Sequence, residues 1–283
     1  GKEVCLVREA EVPARYQFLP GAGAIRHVDS CGDELPADTA LILECPNIGR
    51  IGQAQRLLGA EVCIVNIDHH QDNELFGDVN WVDAKISSAG EMAYRYFLQV
   101  GYAITADVAV QLYTAILTDT GRFRYSSTSS RTMEVAGLLI EAGADPQRIC
   151  DQVYFNLRPS TMKLIGKVLN SVEFYGDGQI CVITLTREML EQTGALPSEA
   201  EGLVDYTLFT EGVLAGAMLK EGNANGTKVS MRSRDGINVA RLAARFGGGG
   251  HPNASGCTLP VPLATAKGEI IGLLEEARRD QSR

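Results

Sequence analysis

Short apolar runs of strong β propensity recur through the first half of the chain, and each ends abruptly in a charged or imidazole side chain. Val4-Cys5-Leu6-Val7, Ala40-Leu41-Ile42-Leu43 and Val62-Cys63-Ile64-Val65-Asn66-Ile67 have this form, and Glu44 and Asp68-His69-His70 follow the last two. Between those two runs, Ile48 to Leu58 has the length and Ile/Leu spacing of a crossover helix. Such β-α-β alternation predicts an α/β fold, a parallel sheet with helices on both faces. Ligands in open sheets of this kind bind beyond the carboxyl ends of the strands. The residues that terminate the runs are therefore the first candidates for chemistry.

Downstream, Ser88-Ala89-Gly90-Glu91 has the spacing of a capping box and predicts a helix through about Leu98. A further helix over Asp107 to Leu117 leads into Thr118-Asp119-Thr120-Gly121, where the glycine supplies a stop. Asp119 is then a third acidic or imidazole group at the end of an apolar element. Helical patterning continues from Ser130 to Val172, punctuated by Pro146 and Pro159. After it, Gly176-Asp177-Gly178 separates the two β-prone halves of a hairpin over Val172–Thr186. A helix over Ser198–Phe209, strands near Val213–Leu219 and Lys228–Arg232, an Asn225-Gly226 turn and a helix over Val239–Phe246 complete the second half. The length of 283 residues suits two domains. The expected division is residues 1–155, a connecting helix over 156–175, and a smaller mixed-sheet α/β domain over 176–283.

Several function classes fall away on charge and patterning. A net charge of −9 with no basic run leaves no stripe that would track long duplex nucleic acid. No apolar stretch reaches the roughly 18 residues that span a bilayer, and the opening residues lack a signal-peptide layout. The expectation is a cytoplasmic protein with no membrane partner. Seven cysteines without a C-x-x-C pair read as structural thiols in a reducing compartment. A phosphate substrate would be small, with its charge met by metal ions and a few arginines.

Two constellations carry chemistry. In Asp68-His69-His70, an imidazole at a strand end can ligate a divalent cation while a neighbouring carboxylate fixes its tautomer. Glu44 and Asp119 would add hard oxygen ligands, a mixture that suits Mn²⁺ or Mg²⁺. In Phe246-Gly247-Gly248-Gly249-Gly250-His251-Pro252-Asn253-Ala254-Ser255-Gly256, successive backbone N–H groups can form a concave nest for phosphate oxygens. Arg232 on the preceding strand offers a bidentate grip on the same anion. His27 has no comparable setting and reads as a surface or core-edge residue.

Taken together and in order, Asp68-His69-His70, Thr118-Asp119-Thr120-Gly121 and Phe246 through Gly256 resemble the motifs of the DHH/DHHA1 phosphoesterases. The resemblance runs from about Lys2 to the C-terminus and is strongest to the small oligoribonuclease and 3′-phosphoadenosine-5′-phosphate phosphatase group. It implies a metal-binding first domain, a second domain that grips the nucleotide end, and a cleft between them. Glu44, His69 and Asp119 become metal ligands, and two Mn²⁺-like ions, with Mg²⁺ the alternative, become the cofactors. His70, facing the substrate phosphate, and Asp68 behind it become the catalytic pair. Arg232, Gly248, Gly249, Gly250 and His251 become the substrate clamp. The implied partners are short single-stranded RNA or a small nucleotide bisphosphate, and the family resemblance also allows a homo-oligomer. The implied reaction is hydrolysis by two-metal activation of water.

Two departures from the family pattern shape the expectation. The family opens with a strand ending in His-x-x-x-Asp-x-Asp, whereas this sequence begins at Gly1-Lys2, where the next strand would start. One metal position is thus expected to lack most of its protein ligands within these residues. Glu44 stands where the family has aspartate, and its extra methylene is expected to displace an oxygen by roughly 1 Å, a shift that can cost about 100-fold in rate. These departures support, as competing readings, a non-catalytic nucleotide-binding protein with a degenerate metal centre, or a pyrophosphatase or exopolyphosphatase.

Overall fold

The computed structural model describes residues 2–32, 35–222, 226–234 and 236–281. The chain divides into two compact units, residues 1–156 and 157–283. In the first, β3 (Thr39–Leu43), β4 (Cys63–Asp68) and β5 (Val79–Val82) form a parallel sheet in that order, after a small separate sheet of β1 (Leu6–Arg8) and β2 (Ile25–His27). The expected strand at Val4–Val7 therefore lies outside the main sheet, shifted to Leu6–Arg8. Strand β5 was not anticipated, because Asn80 interrupts its apolar run.

Period-2 alternation places Ile42, Asn66 and Asp68 on the buried side of β3 and β4, whereas Leu41 and Val79 remain more than half exposed. Between β3 and β4, the expected crossover helix is instead a 3-10 segment, Ile48–Leu57, broken at Gly52. The two glycines of Ile48-Gly49-Arg50-Ile51-Gly52 explain this, since glycine is the poorest helix former after proline. Helices α1 (Ala89–Gln99), α2 (Ala106–Asp119), α3 (Ser130–Glu141) and α4 (Pro146–Cys150), the last continued by a π turn over Asp151–Phe155, follow β5. They close a core around Leu112, Ile116, Val135, Leu139 and Ile149.

The second unit begins with α5 (Pro159–Leu169), then β6 (Glu173–Tyr175), β7 (Ile180–Leu185) and α6 (Arg187–Thr193). Leu164, Ile165 and Val168 of α5, the expected connector, pack on Ile183, Leu185 and Met218 of this unit. Strands β8 (Ala215–Glu221) and β9 (Thr227–Ser233), helix α7 (Val239–Ala244), strands β10 (Gly249–His251) and β11 (Ala254–Leu259), and helix α8 (Leu263–Gln281) complete it. The sheet order is β10-β11-β9-β8-β7-β6, antiparallel except for the β7–β8 pair. Helix α8 buries Ile270 and Leu274 against the face opposite α5.

The stretch expected as one helix over Ser198–Phe209 is two 3-10 turns, Pro197–Ala200 and Leu203–Leu208, parted by Gly202 at φ 83°. Asn225 of the expected Asn225-Gly226 turn lies outside the described residues. All seven cysteines are free, and burial pushes the Cys181 and Cys257 thiols up to about 11. Among the described residues, no helix is long and apolar enough to cross a membrane.

Candidate metal centre

The carboxyl ends of β3 and β4, the start of α1 and the end of α2 bring five acidic and imidazole groups together. Asn66 makes the meeting of β3 and β4 specific: fully buried, it donates from Nδ2 to the Ile42 and Cys45 carbonyls, at 3.3 and 3.2 Å. Glu44 follows β3 with a left-handed backbone, φ 58°, and its N–H donates to the Ile67 carbonyl. A non-glycine residue held in this region stores strain of order 1–3 kcal/mol, which the surrounding contacts must overcome. Its Oε1 accepts from the Ala89 N–H at 2.8 Å, so the carboxylate lies at the positive N-terminal end of α1.

His69 is buried. Its Nδ1 lies 3.1 Å from the Ile86 carbonyl, which can only accept, so Nδ1 carries a proton. Its Nε2 faces two carboxylate oxygens, Glu44 Oε2 at 3.1 Å and Asp119 Oδ2 at 2.9 Å. Asp119 Oδ2 is itself buried, and among the described residues its contact with His69 lacks the alignment of a hydrogen bond. Burial alone would lower the His69 pKa, but Asp119 and Glu44 raise it to about 10. Burial likewise works to raise the Glu44 pKa, and His69 more than offsets it, so the carboxyl falls below its ordinary value.

His70 is arranged differently. Its Nδ1 donates to Asp68 Oδ1 at 2.7 Å, and the second carboxylate oxygen accepts from Asn73 Nδ2 at 2.7 Å. Asn73 also donates to Asn66 Oδ1 at 2.9 Å, which closes a polar network beneath the site. Although burial opposes ionisation of Asp68, the donors His70 and Asn73 hold its pKa down at about 2. Asn66 and Asn73 were missed as site residues. The signal for Asn66 was present, an amide within an otherwise apolar strand, whereas Asn73 lies in a loop of unremarkable polarity.

Among the described residues of the first unit, two groups of potential ligand atoms each fit within 4.8 Å: Glu44, His69 and Asp119, and Glu44, Asp68 and His70. Glu44 belongs to both. Acceptor oxygens of Glu44 and Asp119 turned toward one imidazole nitrogen are the donor set that a hard or borderline divalent cation takes. The residues present therefore fit such an ion.

In the second unit, Arg232 is only 20% exposed at its side chain and donates from Nε to Asp205 Oδ1 at 2.8 Å. The glycine run, read above as a nest for phosphate oxygens, is built into a hairpin. Gly247, at φ 69°, follows α7, and Gly249–His251 pairs with Ala254–Gly256 as a hairpin. A Cβ on Gly248 would lie 2.2 Å from the Gly256 carbonyl oxygen, and one on Gly250 2.5 Å from that of Ala254. Close packing of the hairpin thus accounts for glycine at these two positions. His251 ends β10, opposite Ala254.

Comparison with known proteins gives a consistent set of relatives. A DHHA1 domain matches residues 177–279. The bifunctional oligoribonuclease and PAP phosphatase NrnA of Thermus thermophilus is 31% identical over 261 residues, 92% of this chain and 75% of that protein. Its namesake from Bacillus subtilis is 31% identical over 235 residues, 80% of this chain and 73% of that protein. Among solved structures, an exopolyphosphatase-related protein from Bacteroides fragilis superimposes with a TM-score of 0.89 at 27% identity, covering 98% of this chain and 84% of that one.

Proposed function

The chain belongs to the DHH/DHHA1 phosphoesterase family, and from that premise we propose that it hydrolyses short oligoribonucleotides and removes the 3′-phosphate of adenosine 3′,5′-bisphosphate, using two divalent cations, Mn²⁺ first among them. The observation that carries the reading is the position of Glu44, common to the His69–Asp119 group and the Asp68–His70 group. One carboxylate serving two ligand sets is what a paired-ion site requires. The left-handed backbone of Glu44 supports its assignment, since it brings a longer side chain within 3.1 Å of His69.

Glu44, His69 and Asp119 would hold one ion, and Glu44 with Asp68 would contribute to the other. Ions at such a site lower the pKa of water and offset charge on phosphoryl oxygens. The protein's part is positional. Asp68 fixes the His70 ring through Nδ1, so the ring presents Nε2 to a phosphoryl oxygen. Ile86 performs the same service for His69 with a backbone carbonyl. In the second unit, Arg232 supplies a guanidinium for the far end of the nucleotide, and Asp205 orients it. His251 and the backbone of Gly248, Gly249 and Gly250 complete the clamp in this reading.

The test is release of AMP from a diribonucleotide, and of phosphate from adenosine 3′,5′-bisphosphate, in the presence of Mn²⁺. Wild-type protein is expected to turn over both, and His69→Ala to lose at least about 100-fold in kcat/KM with weakened Mn²⁺ uptake. Equal activity of the two proteins would place the chemistry elsewhere. Inorganic polyphosphate is the second substrate class to include, because the Bacteroides fragilis protein is described as exopolyphosphatase-related. Turnover of polyphosphate with neither nucleotide cleaved would replace the nucleotide reading.

A further inference from the structure

Two contacts of the candidate centre come from the backbone of the turn that enters α1. The Ile86 carbonyl accepts from His69 Nδ1, and the Ala89 N–H donates to Glu44 Oε1. These groups set the direction of the His69 ring and of the Glu44 carboxylate, so the turn must be held within a fraction of an ångström.

Glu91 holds it. The side chain is 1% exposed, and burying a carboxylate this deeply costs several kcal/mol unless donors surround it. Donors do surround it. Glu91 Oε2 accepts from Ser87 Oγ at 2.6 Å, from the Ser87 N–H at 3.4 Å and from Thr132 Oγ1 at 3.0 Å, while Oε1 accepts from Arg95 Nη2 at 2.6 Å. An ordinary capping box would return this side chain to the N-cap residue, Ser88. Here it extends one residue further, to Ser87, which directly follows Ile86. Thr132 anchors the same oxygen to α3, and Arg95 anchors Oε1 to the next turn of α1.

We propose that Glu91 is a positioning residue for the metal centre: by clamping Ser87 to α1 and α3 it fixes the Ile86 carbonyl and the Ala89 N–H, and through them His69 and Glu44. The proposal rests on the reading of the centre given above. Neither the side chain of Glu91 nor that of Ser87 belongs to either ligand group, and Ser87→Ala, which changes no charge, isolates the effect of the turn from that of the Glu91 charge.

The test uses the whole chain with Glu91→Gln and, separately, Ser87→Ala, the second variant leaving Glu91 with Arg95 and Thr132. Nitrogen-15 NMR of the metal-free protein reads the His69 Nδ1–H held by the Ile86 carbonyl, Mn²⁺ titration by EPR reads uptake, and near-UV circular dichroism reads the fold. In Glu91→Gln, the His69 Nδ1–H signal is expected to shift and broaden as its bond to the Ile86 carbonyl loosens, with Mn²⁺ affinity about ten-fold weaker. Ser87→Ala is expected to move both readouts in the same direction by less, and it decides the matter should Glu91→Gln fail to fold. Native His69 ring signals together with wild-type Mn²⁺ affinity in a folded variant overturn the proposal. Wild-type protein that takes up no Mn²⁺ defeats the reading of the centre itself, and the proposal with it.

Discussion

His70 Nδ1 lies 2.7 Å from Asp68 Oδ1 and donates to it, while Asn73 donates to the opposite oxygen of the same carboxylate. Asp68 is therefore an acceptor on both sides, a task that only a carboxylate performs fully. In Asp68→Asn, one of the two neighbours must meet an amide N–H, and the His70 ring loses its fixed tautomer. The equivalent change in serine hydrolases costs about 10⁴ in kcat, so a fall of at least about 100-fold is expected here, with KM little changed. Steady-state AMP release from a diribonucleotide measures it. Unaltered kcat would remove His70 from the reaction.

Helix α1 must approach α2 closely at Gly90, where a Cβ would stand 2.7 Å from Ala115 Cβ and 3.4 Å from the Leu112 carbonyl oxygen. Alanine is the better helix former by about 1 kcal/mol, which would favour Gly90→Ala if propensity decided. Overpacking at a helix contact costs about 1–3 kcal/mol and is expected to win. The variant should melt at a lower temperature. Because α1 carries the Ala89 N–H that holds Glu44, its Mn²⁺ uptake should weaken as well. A variant more stable than wild type, seen by calorimetry, would show that the two helices can separate at no cost.

Glu91 also makes a prediction about acid. Burial raises its pKa, but Ser87, Arg95 and Thr132 outweigh burial and leave the carboxyl below its ordinary value of 4.5. A carboxyl whose folded pKa is depressed contributes stability that is complete above the unfolded pKa and is lost as pH falls through the folded one. The stability gap between wild type and Glu91→Gln should therefore be widest near neutrality and close progressively below about pH 4.5. Urea midpoints of both proteins between about pH 7 and about pH 3 supply the comparison. A gap that widened in acid would mean that the carboxyl is held neutral in the fold.

The strand-end residues Glu44, Asp68, His69 and His70, and Asp119 at the end of α2, stood out in the sequence because polar groups interrupt apolar periodicity there. The structure brings all five together. What the pattern could not show was second-layer geometry. Asn73 contributes through a loop conformation, and the Ile86 carbonyl belongs to a backbone whose direction no side-chain alphabet encodes. Glu91 was visible as a helix cap, but its reach to Ser87 and Thr132 depends on α3, forty-one residues downstream. The 3-10 segments at Ile48–Leu57 and Leu203–Leu208 were misjudged for a simpler reason. Their apolar spacing suits an α-helix, yet glycines at 49, 52 and 202 weaken or break the ladder that spacing alone would predict.

Arg232 and Gly248 separate binding from packing in the second unit. The Arg232 guanidinium is held by Asp205 through Nε and by the Met231 carbonyl through Nη1, so a grip on phosphate would draw on the remaining N–H groups. Hydrogen bonds to a charged group contribute about 1.5–3 kcal/mol, so Arg232→Gln is expected to raise KM by roughly 10- to 100-fold while leaving kcat and Mn²⁺ affinity near wild type. Gly248→Ala should behave in the opposite way. Its Cβ would collide with the Gly256 carbonyl oxygen and with Cys257, forcing β10 from β11 at a cost of about 1–3 kcal/mol, read as a lower melting temperature. If Gly248→Ala instead kept wild-type stability and lost only substrate affinity, the glycine would be serving the ligand rather than the hairpin.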